Sequence, residues 1–414
     1  MMTARLLKTV LLGLIIAFLG DVMVSPQTAN AQDDTERPLL LSHFMVWYQT
    51  PDVSGYWGWH WSMDHFDPSK TVDGRPQIAS QFTPLTGPYD SQDPTVLEYQ
   101  VLLMKLSGID GVIVDWYGTE NWRDYAVNNA ATLRLFEATK RAGLKFVLCY
   151  EDQTVLHMVN EEYIKREDAK ARGAEDMQFA AETFFNDESY VTHNDQPLLF
   201  VFGPQYFRSP ADWEVIFEGL SPTPALVVLD KPLSWALSSY PWPPMSMSGG
   251  LTLNPKVLQS YLDLFYRNAQ KRDFVVGSAF PAFLDIYEEA GVRSSYGTID
   301  PQDGETLRST LATALAANPD IIQLVTWNDY GEGTIIEPTE ETGTQYLEIV
   351  QETRRSLDET NFTYTADDLE LPFQLFTLRR EHKGDAEANA RLDEVFNAII
   401  AGDLETARTI MDEF

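Results

Sequence analysis

Short β-rich apolar runs recur from residue 39 onward, and most are followed by a stretch whose apolar positions repeat every three or four residues. That alternation predicts parallel βα units. The runs are LLLSHFMVWY (39–48), GIDGVIVDWYG (108–118), LKFVLCYED (144–152), PLLFVFG (197–203), PALVVLD (224–230), LSWALSSY (233–240), DFVVGSAFPAFLD (273–285) and IIQLVTWND (321–329). Eight of them predict an α/β fold, a (β/α)8 TIM barrel over residues 32–342. The sixth is the weakest as a strand, because it follows the fifth almost at once and ends in prolines that cannot continue a central strand. An open doubly wound sheet is the rival, and no Gly-rich phosphate fingerprint supports it.

The intervening helices carry their own stop signals. TVLEYQVLLMKLSG ends at Gly108, and NNAATLRLFEATKRAG has Lys140 and Arg141 in its last turn with Gly143 after it. Residues 155–194 read as a polar helical insertion on the surface, with KREDAKARGAED as a solvated face. Beyond residue 340 a helix is expected over about 344–358. A final helical pair follows, AEANARLDEVFNAIIAG and DLETARTIMDEF, so residues 343–414 form a helical extension packed on the barrel, with an oligomer contact as the alternative.

Charge narrows the partners. With 30 Lys and Arg against 62 Asp and Glu the formal charge is −32, a field that disfavours nucleic acid and anionic membranes and favours a neutral ligand. The N-terminus pairs Arg5 and Lys8 with an apolar run over residues 10–19, and Ala29-Asn30-Ala31 fits a small-x-small cleavage pattern. Residues 1–31 therefore read as a signal peptide, predicting a secreted or periplasmic protein with no membrane association once it is removed; an uncleaved anchor is the alternative. Cys149 is the single cysteine, which rules out an intramolecular disulfide, and in KFVLCY it reads as a buried inert thiol. The six histidines form no HExxH or HxH pair, so no metal site and no cofactor are expected. The chain is expected to act as a monomer.

In a TIM barrel the chemistry lies at the C-terminal strand ends, and here those ends are rich in acids and aromatics. They include Trp47, Tyr48, Asp115, Trp116, Tyr150, Glu151, Asp152, Asp230, Tyr240, Trp242, Asp285, Trp327, Asp329 and Glu332. Aromatic faces stack on sugar rings while carboxylates bind hydroxyls and transfer protons, a mixture that suits a carbohydrate cleft. Single members have plainer readings: Asp115 and Asp230 as helix caps, a Trp or Tyr as core. The pair Asp329 and Glu332 resists that reading, because two acids in a Gly-containing aromatic turn gain nothing from burial unless one is protonated or both have partners.

WNDYGEGTIIEP (327–338) resembles the strand-eight signature of glycoside hydrolase family 99, the endo-α-mannosidases and endo-α-mannanases. WYQTPDVSGYWGWHW (47–61) and GPYDSQDPTVLEYQ leading into GIDGVIVDWYG are similar to that family's first two units, so the resemblance spans about residues 39–340 and leaves the tail uncovered. Family 99 has Glu where this chain has Asp329. Family 71, the α-1,3-glucanases, is similar in having Trp-Asn-Asp-x-Gly-Glu. With the N-terminal signal read above, the resemblance implies an endo-acting hydrolase of α-linked, α-mannan-type oligo- or polysaccharide, with an α-1,3-glucanase or a non-catalytic carbohydrate-binding barrel as alternatives. It implies Glu332 as general acid and Asp329 as a base that deprotonates the sugar 2-hydroxyl, giving a 1,2-anhydro sugar and net retention. Tyr48, His60, Trp61, Trp116, Glu151, Tyr240 and Glu337 are expected to line the cleft, with Glu151 holding a sugar hydroxyl.

Overall fold

The computed structural model describes residues 37–358 and 360–414. The signal-peptide reading of residues 1–31 lies outside them. Eight parallel strands form one sheet: β1 (Leu39–Phe44), β2 (Gly111–Trp116), β3 (Lys145–Tyr150), β4 (Gln196–Val201), β5 (Ala225–Leu229), β6 (Ser238–Tyr240), β7 (Val276–Ala279) and β8 (Ile321–Leu324). Their hydrogen-bonded order is β7-β8-β1-β2-β3-β4-β5-β6, a (β/α)8 barrel closed except between β6 and β7. The prolines at 241, 243 and 244 explain the gap, since they end β6 after three residues and remove the donors a ladder needs. Hydroxyls staple the seam instead: Ser238 donates to Phe274 O at 2.7 Å and Ser278 to Pro241 O at 2.6 Å.

Helices clothe the barrel. The relevant ones are α1 (Pro94–Ser107), α2 (Tyr125–Arg141), α3 (Ala169–Ala180), α4 (Pro210–Ile216), α5 (Pro255–Ala269), α6 (Glu305–Leu315), α7 (Gln345–Leu357), α8 (Leu371–Glu381), α9 (Ala386–Ile400) and α10 (Leu404–Met411). Asp93 caps α1 by accepting from Thr95 N, Pro94 occupies its first turn, and Gly108 leaves it at φ 80°. The last helices lie against α1 through a forked ion pair, Arg379 to Glu98 at 2.9 and 3.1 Å, and Arg380 to Asp93 at 2.5 Å. Arg354 on α7 grips Asp110, which also holds Arg37 just before β1.

Three expectations change. LSWALSSY yields a strand only at Ser238–Tyr240. The seventh run breaks after Ala279, and Phe283–Leu284 instead pairs antiparallel with Thr298–Ile299. The charged segment 165–176 is not wholly a solvated face, for Asp176 is buried and accepts from Thr119 N at 2.9 Å, Tyr150 OH at 3.0 Å and Arg172 at 2.6 Å. A sequence of alternating charges conceals such a pair because only the facing loop decides which side turns inward.

Candidate active site

The turn after β8 is fixed to β1 by its own side chains. Trp327 N donates to His43 O at 2.7 Å. Asn328 brackets Met45, accepting from its N–H at 2.8 Å and donating to its carbonyl at 2.9 Å. Tyr48 OH donates to Asn328 O at 2.8 Å and accepts from Tyr330 N at 3.0 Å. Beneath the turn, Glu337 accepts from Tyr89 OH at 2.9 Å, Tyr330 OH at 2.8 Å and Gln100 Nε2 of α1 at 2.7 Å. Gly333 is required sterically: its φ is 64°, and a Cβ there would lie 2.6 Å from Leu284 O. The loop after β7 closes over the turn, with Leu284 N donating to Glu332 O at 2.8 Å and Ile286 N to Gly331 O at 3.1 Å.

Within this frame Asp329 and Glu332 are differently placed. Asp329 N donates to Thr326 Oγ1 at 2.8 Å, and Asp329 Oδ1 accepts from Glu332 N at 3.0 Å. Burial pushes the Asp329 carboxyl up to about 6, while hydrogen bonds from the backbone of Glu332 and Gly331 hold it from rising further. Glu332 Oε2 is buried without a hydrogen-bond partner. Burial, then the charges of Asp329, Asp285 and Glu151, push Glu332 well above the usual carboxylate range, with Arg293 opposing. The two acids are thus separated in the direction a base and an acid require near neutral pH.

Two further acids complete the cluster. Glu151, after β3, is raised to about 8 by burial, against a hydrogen bond from Gln153. Asp115, on β2, is raised by burial and then by the charges of Glu151 and Asp329, and neither of its oxygens has a partner. The expected capping role for Asp115 therefore does not occur. Asp152, next to Glu151, is also buried but accepts from the backbone N–H groups of Gln205, Tyr206 and Phe207 at 2.7–2.8 Å, so it anchors the loop after β4.

A cavity of about 610 Å³ opens beside β1, β2 and β3. His60 and Glu151 are among its walls, together with Trp59, Tyr117, Tyr125 and Gln49. His60 stacks on Trp47 at 4.2 Å, and burial lowers its pKa to about 3, so the imidazole is neutral. Asp329 and Glu332 are not among these walls; Glu151, which is, raises Glu332 by its charge.

The other expected cleft residues are enclosed by protein. Trp61 is fully buried with its Nε1 donating to Tyr89 O at 2.8 Å, and Tyr240 is fully buried with its hydroxyl on Val201 O at 3.0 Å. Trp116 is buried with Nε1 on Asn129 at 2.9 Å, and Tyr48 and Glu337 are spent on the turn. None of these offers an open face for a sugar; each holds the side chains in front of it. Tyr117 is one of the aromatic residues at the strand ends, just after β2, whereas Trp59 stands inside the WGWHW motif with no separate signal. Tyr125 carried no motif, and neither did Tyr287, which feels the charges of Glu332 and Asp329.

Comparison with known proteins agrees with the barrel fold. The model of glycosyl hydrolase family 99 matches residues 37–224, which hold β1 to β4. The glycoprotein endo-alpha-1,2-mannosidase of Mus musculus is 23% identical over 372 residues, 78% of this chain and 74% of that protein. A glycoprotein endo-alpha-1,2-mannosidase-like protein of Homo sapiens is 22% identical over 72% of this chain and 68% of its own length. The solved GH99 endo-alpha-mannosidase of Bacteroides thetaiotaomicron superimposes with a TM-score of 0.57 at 18% identity, over 77% of this chain and 98% of that one. Barrel, acid cluster and relatives together define a glycoside hydrolase. Within that class the chain is similar to glycosyl hydrolase family 99, whose model matches the N-terminal half of its barrel.

Proposed function

We propose that the enzyme is a secreted, endo-acting hydrolase of α-mannan-type polysaccharide that retains configuration through a 1,2-anhydro sugar. The observation that carries this reading is the unequal displacement of two neighbouring acids, Asp329 to about 6 and Glu332 well above the usual range. Glycosidic cleavage needs a proton for the leaving oxygen and a carboxylate beside the oxocarbenium-like centre. Glu332 supplies the proton. Asp329 removes the proton of the sugar 2-hydroxyl, whose oxygen closes on C1 as the leaving group departs; water, losing a proton to Glu332, then attacks C1 and opens the three-membered ring as Asp329 returns its proton to the 2-oxygen, and two inversions give retention. Glu151, in the cavity wall, holds a hydroxyl of the bound sugar.

The relatives named as mannosidases support mannose in the substrate, and the acidic surface suits a neutral polymer. Asp329 is one methylene shorter than the Glu of family 99, so the substrate has to be read experimentally. Incubation with α-mannans and α-1,3-glucan, with products separated by size, is expected to give a ladder of short oligosaccharides from α-mannan alone. Cleavage of α-1,3-glucan instead would move the enzyme to the glucanase reading, and monosaccharide as the first product would refute endo action. Export is read from the N-terminal sequence of the protein recovered outside the cytoplasm, expected to begin near Gln32.

A further inference from the structure

The interior of a (β/α)8 barrel is ordinarily filled by branched apolar side chains. Here its upper layer holds polar groups on adjoining strands. Asp115 on β2 and Cys149 on β3 are directly paired in register. His43 on β1 pairs with Ile113, two residues before Asp115 and so on the same face of β2. All three are buried, and their ligating atoms lie within 4.8 Å of one another, the one such group among the described residues.

We propose that His43, Asp115 and Cys149 bind a single zinc ion inside the barrel, with Asp115, the member of the acid cluster that the proposed mechanism does not use, as its carboxylate ligand. Asp115 is 3% exposed and both its oxygens lack any partner, a costly condition for a buried carboxyl group. A divalent cation removes that cost. One carboxylate and one thiolate balance its two charges, and a neutral imidazole completes the set. Thiolate and imidazole donors select zinc over magnesium or calcium, which prefer all-oxygen sites.

The surrounding hydrogen bonds orient the histidine as a ligand. Gln323 donates through Nε2 to Pro241 O at 3.0 Å and to Ser278 Oγ at 2.6 Å, which turns its Oε1 toward His43. His43 Nδ1 donates to that oxygen at 3.4 Å, leaving the Nε2 lone pair for a metal, the arrangement found behind zinc-bound imidazoles. Tyr240 OH lies 3.6 Å from Cys149 Sγ and gives its proton to Val201 O. Zinc ligands at about 2.0–2.3 Å from the metal sit roughly 3–4 Å apart, so metal binding needs only a small contraction of this group.

The test is metal analysis of the full-length protein produced in zinc-supplemented medium and passed through metal-free buffer. The expected result is about one zinc per chain, falling about tenfold in C149A and D115N. Cobalt(II) in place of zinc is expected to give a near-ultraviolet thiolate-to-metal band in the wild type, absent from C149A that circular dichroism shows to be folded. If these variants do not fold, the wild type decides alone through its metal content and cobalt band. Less than about a tenth of an equivalent of zinc with no cobalt band would mean that the group holds water and would overturn the proposal. So would zinc retained undiminished in folded C149A and D115N.

Discussion

Glu337 and Asp115 are both shut away from solvent, at 1% and 3% exposure, yet Glu337 accepts from Tyr89, Tyr330 and Gln100 while neither oxygen of Asp115 has a partner. The first belongs to the turn between β8 and β1, whose backbone and whose Tyr48, Asn328 and Glu337 side chains are held by hydrogen bonds. The second belongs to the β2–β3 side, where Asp115 has no partner and Glu151, in the cavity wall, has Gln153 alone. A buried charge with a full set of donors fixes geometry, whereas one without them leaves a position for something that is not protein. The mouth of the barrel therefore has a braced turn that carries Asp329 and Glu332 and an unsatisfied wall on the β2–β3 side, where Glu151 reaches the cavity.

The comparison breaks most sharply at the tip of the braced turn. Glu332→Gln is expected to lower turnover of natural glycans by about 10²–10⁴-fold, yet to spare an aryl glycoside whose phenolate leaves without a proton. Initial rates on the two substrates measure it. The pH profile of kcat/KM should lose its alkaline limb in this variant and keep an acid limb near 6, because Asp329, raised to about 6, must be ionised to act as a base.

Behind it, Glu337→Leu would leave the hydroxyls of Tyr89 and Tyr330 buried without their acceptor, at a cost of about 1–3 kcal/mol in stability by denaturant unfolding. As a positioning residue, Glu337 should affect kcat more than KM, and Glu337→Gln, which keeps an acceptor oxygen, should recover most of both. Equal losses in kcat/KM for Leu and Gln, with KM alone changed, would contradict the bracing role.

The unsatisfied wall predicts the opposite sign. Burial raises Glu151 to about 8 from an unfolded value near 4.5, so the folded protein binds more protons than the unfolded chain between those values. That contribution to stability is present at low pH and is lost as pH rises through about 8. Glu151→Gln should therefore raise the melting temperature at pH 8 more than at pH 5, by a few degrees. A variant less stable than wild type at pH 8 would show that the hydrogen bond from Gln153 outweighs the cost of burying the charge.

Much of the fold was legible because parallel strands buried on both faces read as continuous apolar runs, and a proline cluster after Tyr240 already marked the weak sixth strand. The site was legible only where acids cluster within one turn, as at Asp329 and Glu332. Asp115 and Asp152 look alike in sequence, each at the end of an apolar run. They differ in the structure because the segment 205–207 brings three N–H groups to Asp152 and no segment does so for Asp115. Trp61 and Trp59 are likewise neighbours in WGWHW, but the one is fully buried and the other lines the cavity, a distinction set by how the loop folds against Tyr48 and Tyr89.

The role of Asp329 is the central claim, and it separates two chemistries that share the same pair of acids. A nucleophilic carboxylate would form a covalent glycosyl-enzyme, whereas a base acting on the 2-hydroxyl forms no bond to carbon and cannot work without that hydroxyl. The direct measurement is intact-protein mass spectrometry after treatment with an activated 2-fluoro mannosyl donor. No mass increase is expected, together with hydrolysis of a synthetic 1,2-anhydro mannose by the same preparation; a stable adduct mapped to Asp329 would contradict the mechanism.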